Sequence, residues 1–214
     1  MNCYIGLDLG GTHLKSALGA ERGEIVFKNS IHSNAQKSQR IIFETIFKAI
    51  EQLLTVAKCE GRIVKAIGIG SPGSINFEKG QLIGGTPNLP HWKDAKIRDV
   101  IENKFSIPVW ADNDANLAAL AEARKGAGAG FQNILCLTIG TGIGGGIILN
   151  GNLLRGTHYS AAEIGHIIIA AGGKPCKCGN RGCWEAYVSA SAMVQNYYSK
   201  IQQHDDTISV DDIN

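Results

Sequence analysis

The chain of 214 residues lacks the features that a membrane protein, a filament or a nucleic-acid binder needs. No apolar run approaches the roughly 20 residues of a membrane span. The opening MNCYIGLDLGGT has no basic stretch, and Asp8 interrupts its apolar run, so no signal peptide is expected and the cytoplasm is the expected location. Charge of neither sign dominates. Lys and Arg number 21 and Asp and Glu 19, a net +2. That is too balanced for a dedicated nucleic-acid or membrane-surface partner. Charged residues are 19% and hydrophobic ones 44%, which excludes a disordered tail and a coiled coil. Prolines number 5, and no Pro/Ser-rich linker divides the chain. The length suits one or two domains. A chain this long buries roughly 70% of its unfolded surface without help from disulfides.

Glycine is abundant instead, at 27 residues, or about 13% against a usual share of roughly 7%. The excess falls in clusters beside apolar runs, which suggests backbone brought close to a ligand. The six cysteines divide into two groups. Cys3, Cys59 and Cys136 stand singly in or beside apolar segments and read as small buried hydrophobes. Cys176, Cys178 and Cys183 cluster, which in a cytoplasmic chain favours a metal site over disulfides.

Strands are expected at 3–9, 14–18, 24–29, 63–69 and 108–111. Ile42, Ile46, Ile50, Leu53, Leu54 and Ala57 keep helical spacing over 36–59, and Gly61 ends that helix. A second helix is expected over Trp92–Phe105, and a third from Asp112 or Asn113 through LAALAEARKG. Strands alternating with helices predict an α/β fold. The segment NILCLTIGTGIGGGIIL repeats the strand, glycine turn and strand of YIGLDLGGTHLKSAL. Two related domains are therefore expected, 1–112 and 113–214, with a packed junction.

Four constellations carry chemistry. In Asp8–Thr12 (DLGGT), two glycines let backbone N–H groups face an anion, Thr12 adds a hydroxyl, and Asp8 can hold magnesium through water. An ordinary hairpin turn is the alternative. Thr138–Gly146 (TIGTGIGGG) packs five glycines and two threonines into nine residues. A plain hairpin needs one or two glycines, so a phosphate-wrapping loop is expected. It is neither a Walker A loop nor a dinucleotide fingerprint. In WADNDANLAALAE, Asp112 or Asn113 can cap the helix, and Asp114 in its first turn can accept a hydroxyl proton during phosphoryl transfer. Both can also be caps and nothing more. In Glu163–Glu185, His166 and the three clustered cysteines suit a closed tetrahedral zinc, with a reactive or disulfide pair as the alternative. Glu163 and Glu185 bracket that site and can accept hydrogen bonds from a polyol. One His166 nitrogen can bind metal while the other meets a ligand.

Together these motifs resemble the ROK family of bacterial sugar kinases and repressors, from Asp8 to about Ser191. The resemblance implies an actin-like, ribonuclease H-like two-domain ATPase fold, with sugar and ATP in the cleft between domains. It implies that Asp8, Gly10, Gly11 and Thr12 lie near the transferred phosphate. It makes Thr138, Gly140, Thr141 and Gly142 the second phosphate loop and Asp114 the catalytic base. It implies Gly73, Asn88, Asn113, Asp114, Glu163, His166 and Glu185 on the sugar side, and His166, Cys176, Cys178 and Cys183 as zinc ligands. The implied activity is ATP-dependent phosphorylation of a hexose, with glucose at its 6-hydroxyl leading and N-acetylglucosamine or N-acetylmannosamine as alternatives. The implied cofactors are ATP, Mg2+ and structural Zn2+, and the implied assembly is a homodimer. A non-catalytic sugar-binding fragment and a sugar-responsive repressor are the other classes. The repressor is disfavoured because residue 8 already opens the first motif. Family members run longer than this chain, so the second domain is expected to be incomplete on its adenosine side. The tail HDDTISVDDIN shows no substitute. Little kinase activity and a tendency to associate are expected of the chain alone.

Overall fold

Alternating apolar residues build the first sheet. In the computed structural model, which describes residues 1–204, β1 (Asn2–Leu9) turns Cys3, Ile5, Leu7 and Leu9 inward. β2 (His13–Ala20) pairs antiparallel with it, and β3 (Ile25–His32) pairs antiparallel with β2. α1 (Gln39–Cys59) buries Ile42, Ile46, Ile50, Leu53 and Ala57 against the sheet. Each fully buried Ile or Leu is worth roughly 1.5–3 kcal/mol. β4 (Ile63–Ser71) then returns parallel to β1, the strand–helix–strand crossover that a parallel pair requires. A small hairpin follows, β5 (Ser74–Asn76) and β6 (Gln81–Gly84). α2 (Ile97–Phe105) packs beside α1 through Phe105 on Phe47, and β7 (Val109–Asn113) lies parallel to β4. The sheet order is β3-β2-β1-β4-β7.

α3 (Asp114–Lys125) leads to a second sheet of β8 (Ile134–Ile139), β9 (Ile143–Leu149) and β10 (Asn152–Leu153), in the antiparallel order β10-β9-β8. A 3-10 turn at Ile164–His166, a glycine-rich loop, α4 (Glu185–Val188) and α5 (Ala190–His204) complete the described chain. Residues 205–214, which hold most of the tail assessed above and the end of the expected second domain, lie outside the described residues. No described helix is long and apolar enough to cross a membrane.

Several expectations need correction. The helix expected over Trp92–Phe105 starts only at Ile97. Trp92 is fully buried, with its indole N–H donating to Ser71 Oγ at 3.0 Å and its ring 4.8 Å from Phe43. Leu82 N–H donates to Ala95 O at 3.0 Å, and Gln81 bridges Lys96, which ties the chain just before the helix to β6. The third strand runs on to His32, paired with His13. The strand expected at 108–111 continues to Asn113, so Asp112 belongs to β7 and Asn113 alone is the cap. The hairpin of β5 and β6 was not anticipated. Cys3 is buried as expected, but Cys59, at the solvent end of α1, is exposed and Cys136 only half-buried.

Candidate active site

Strand register assembles the first part of the site. Asp8 pairs with Gly70 across β1 and β4, and Gly70 pairs with Asp112 across β4 and β7. These are the carboxyl ends of parallel strands, where open α/β sheets bind ligands. Asn113 follows as N-cap of α3, its side-chain oxygen accepting the N–H groups of Ala115 at 2.9 Å and Asn116 at 3.1 Å. Its amide donates to Gly73 O at 3.1 Å, which ties the turn at Gly73 to the helix start. Gly73 sits at φ +96 against the carbonyl of Gly84, so a side chain there would be both strained and obstructed.

Asp114 opens α3 and accepts the Ala115 N–H at 2.9 Å. Burial is the main cause that raises its pKa, and the nearby Asp8 carboxylate adds to the rise, while the Ala115 N–H opposes it. A carboxylate held this way is a natural proton acceptor. Gly70 packs directly beside it, a Cβ there standing 3.4 Å from the Asp114 Cα. Asp8 itself is open to solvent, with Lys15 Nζ at 3.7 Å.

The first glycine turn closes with Gly10 N–H on His13 O at 2.9 Å. A Cβ on Gly11 would lie 3.5 Å from Asn88, so the turn and the Asn88 loop stand side by side. Thr12 is exposed at the tip.

The second glycine turn corrects the reading by count. Only Gly140 and Gly142 lie at the turn, with Thr141 exposed between them and Gly140 N–H bonded to Gly142 O at 2.9 Å. Gly144 and Gly146 lie in β9 against Ala115 and Ala119 of α3, and Gly145 lies against Ala162 and Ile164 on the other face. Those three let a helix and a loop approach the sheet, which is a packing reason for glycine. Thr138 pairs with Gly144 in β8, its hydroxyl over that glycine. The turn is braced by Glu185, which accepts Ile143 N–H at 3.2 Å, and by Ala190 N–H on Gly140 O at 2.9 Å.

Glu163 precedes the 3-10 turn, where Gly165 presses on the Ile143 carbonyl. His166, Cys176, Cys178 and Cys183 converge, with one ligand atom from each lying within 4.8 Å of the others. His166 Nδ1 is 3.7 Å from Cys176 Sγ, and the Sγ atoms of Cys178 and Cys183 are 3.6 Å apart. Metal–sulfur bonds of roughly 2.3 Å in a tetrahedron give edges of roughly 3.8 Å, so this donor set fits zinc. Burial raises the thiol pKa of Cys183 and pushes that of Cys176 up to about 12, whereas the Asn180 N–H lowers that of Cys178. The other His166 nitrogen, Nε2, lies 3.9 Å from Glu163. Glu163 has its pKa raised first by burial, opposed by His166, and raised further by the Asp114 and Glu185 carboxylates. Asp8, Asp114, Glu163 and Glu185 thus form one electrostatic chain that spans both sheets.

Sequence reasoning missed Arg155. It follows β10, and both Nε and Nη2 lie 2.8 Å from Asp112 Oδ2. No local pattern links positions 43 residues apart.

The ROK family profile matches residues 4–214. The chain belongs to the ROK family. The glucokinase of Halalkalibacterium halodurans is 41% identical over 202 residues, covering 94% of this chain and 61% of that protein. The crystal structure of a ROK family glucokinase from Streptomyces griseus in complex with glucose and AMPPNP superposes with a TM-score of 0.82 at 35% identity, over 94% of this chain and 62% of that one. A ROK family transcriptional regulator, a homologue of the E. coli MLC protein, superposes with a TM-score of 0.82 at 29% identity, over 99% of this chain and 55% of that one. The fold is that of the ROK sugar kinases, the actin-like ATPase type, and the chain spans about six-tenths of the length of the glucokinases it matches.

Proposed function

We propose that this chain carries the sugar side and the proton acceptor of an ATP-dependent hexose kinase, with glucose phosphorylated at its 6-hydroxyl. The observation that carries this reading is the half-buried Asp114 carboxylate, set between exposed Asp8 and the Glu163–His166 pair. In the proposed reaction Asp114 takes the hydroxyl proton as the oxygen attacks the γ-phosphorus of ATP, and the bond from that phosphorus to the bridging oxygen breaks so that ADP leaves. Asn88, Asn113, Glu163, His166 and Glu185 orient the hexose through hydrogen bonds to its hydroxyls. Backbone N–H groups at 11–12 and 141–142, next to the Gly10 and Gly140 donors that close the turns, hold phosphate oxygens, with Thr12, Thr138 and Thr141 adding hydroxyls. Asp8 would hold Mg2+ through water, and the bound ion would neutralise phosphate charge. His166, Cys176, Cys178 and Cys183 would hold Zn2+, whose part is to fix the loop and aim His166 Nε2 at the sugar. The cleft would lie between a unit of residues 1–112 and one beginning at 113. We place the protein in the cytoplasm, as a homodimer.

The identity of the hexose rests with the loops over 70–92, which choose between glucose and N-acetylglucosamine or N-acetylmannosamine. The likeness to a transcriptional regulator favours one second reading, a sugar-binding unit without phosphoryl transfer. Calorimetry and coupled ADP release over a hexose panel separate these readings. The 214-residue chain is expected to bind glucose weakly and to release little ADP, and appending a family C-terminal segment is expected to restore turnover. Asp114→Asn should then abolish turnover and leave sugar affinity within about tenfold, because the amide keeps the size but cannot take the proton. Absence of binding by every hexose would overturn the proposal, and undiminished turnover in Asp114→Asn would reduce Asp114 to a helix-start residue. Metal analysis should find one zinc per chain, lost in Cys178→Ser.

A further inference from the structure

We propose that Arg155 is a positioning residue that locks the start of α3, with Asn113 and Asp114, to the segment that runs into Glu163 and His166. The proton acceptor and the sugar contacts then move as one frame. This rests on the hexose-kinase reading for its functional consequence, though not for the coupling itself.

The lock is built from both sides. Asp112 is 2% exposed, and both its oxygens are engaged. Oδ1 accepts the Asn113 N–H at 2.8 Å and the Asn116 side-chain amide at 3.2 Å. Oδ2 accepts the two Arg155 donors at 2.8 Å each. Asp112 therefore orients the first turn of α3, and Arg155 orients Asp112. The guanidinium carbon also lies over the Phe77 ring, 3.8 Å from its centroid. Phe77 stands on a fixed turn. Arg98 of α2 donates to the carbonyls of Phe77 at 3.0 Å, Glu78 at 2.6 Å and Val109 at 2.9 Å. Four residues beyond Arg155, the Tyr159 hydroxyl bonds the Glu78 carboxylate of the same turn. The segment is thus fastened twice before it reaches Glu163.

Desolvation of a buried ion pair cancels most of the attraction, so stability alone is a poor account of this one. Geometry is a better account. A guanidinium offers a planar fork that meets carboxylate and aromatic ring together, which an ammonium cannot do.

The test compares the full chain with Arg155→Lys, Arg155→Met and the double variant Asp112→Asn/Arg155→Met. The double variant removes the carboxylate that Arg155→Met would leave buried and unpaired, so its thermal stability should recover. Hydrogen exchange in Arg155→Met and in the double variant is expected to quicken by about tenfold or more at both 113–116 and 158–166, with α1 unchanged. Glucose affinity, measured where circular dichroism shows every variant folded, should fall by about tenfold or more in both, and Arg155→Lys should fall between. A double variant with restored stability and glucose affinity within about twofold of the parent would overturn the proposal, because a merely structural pair predicts that result. Faster exchange on one side only would overturn it as well. If the parent chain binds no hexose, the kinase reading fails, and the two-sided exchange response still decides the coupling.

Discussion

In the first sheet, β1 carries β2 on one edge and β4 on the other, and α1 and α2 cover the inward face. In the second, β8 opens its sheet as β1 does and carries β9 on one edge, but among the described residues no strand pairs with its other edge. α3 covers one face through Gly144 and Gly146, and residues 162–165 cover part of the other. Leu135 and Ile139 are left about three-fifths exposed on that second face, at 60% and 59%. The same opening motif thus gives a completed core in one place and an open edge and apolar face in the other. The difference also shows that the glycines of the two hairpins are not equivalent. Gly10 and Gly11 serve a turn, whereas three of the five glycines in the second motif serve close packing.

The comparison is broken most severely at Gly165. An added Cβ would collide with the Ile143 backbone, which cannot yield as a flexible side chain would. Gly165→Ala is expected to cost about 3 kcal/mol or more. Residue-resolved hydrogen exchange should show loss of protection in β9 and the loop that carries His166 and the three clustered cysteines, with β1 and β4 intact.

Next in size is the contrast between the two apolar faces. Leu53→Ala in the first core should cost about 2–5 kcal/mol by urea denaturation. Leu135→Ala, on the open face, should stay within about 0.5 kcal/mol. Replacing Leu135 and Ile139 with lysine should reduce association in light scattering, since an exposed edge and apolar face invite pairing.

Much of the site was legible because its chemistry follows local spacing. The His166, Cys176, Cys178 and Cys183 set converges as its spacing suggests. Asp8 stands near the end of β1 before a glycine turn, and Asp114 in the first turn of α3 after the Asn113 cap, and both are local patterns. What escaped depends on packing between distant segments. Trp92 fits a helical pattern until its indole N–H is seen to need Ser71. β5 and β6 are three and four residues long, too short for an alternating signature. Gly144–Gly146 read like phosphate glycines because a close-approaching helix and a close-approaching anion make the same demand of a sequence. Arg155 finds Asp112 only through the fold.

A smaller effect sharpens the electrostatic side. The folded-state pKa of Asp114 is raised by burial and by Asp8, so the folded state binds this proton more tightly than the unfolded chain. The penalty is therefore absent below the ordinary aspartate range and grows as pH rises through the raised value. Asp114→Asn should raise the melting temperature at pH 7, and the gain should vanish on acidification. Smaller again is Ala162→Gly. Ala162 sits at φ +63, a left-handed conformation unfavourable to alanine, immediately before Glu163. Glycine there should stabilise by about 1 kcal/mol in thermal denaturation.

The central claim is that both halves of the molecule contribute to one hexose site. The most direct test is hydrogen exchange of the 214-residue chain with and without saturating glucose. Protection is expected to appear together at the start of α3, over 113–116, and at 163–166 beside the cysteine cluster. Glucose binding that protects only one of these segments, or neither, would contradict it.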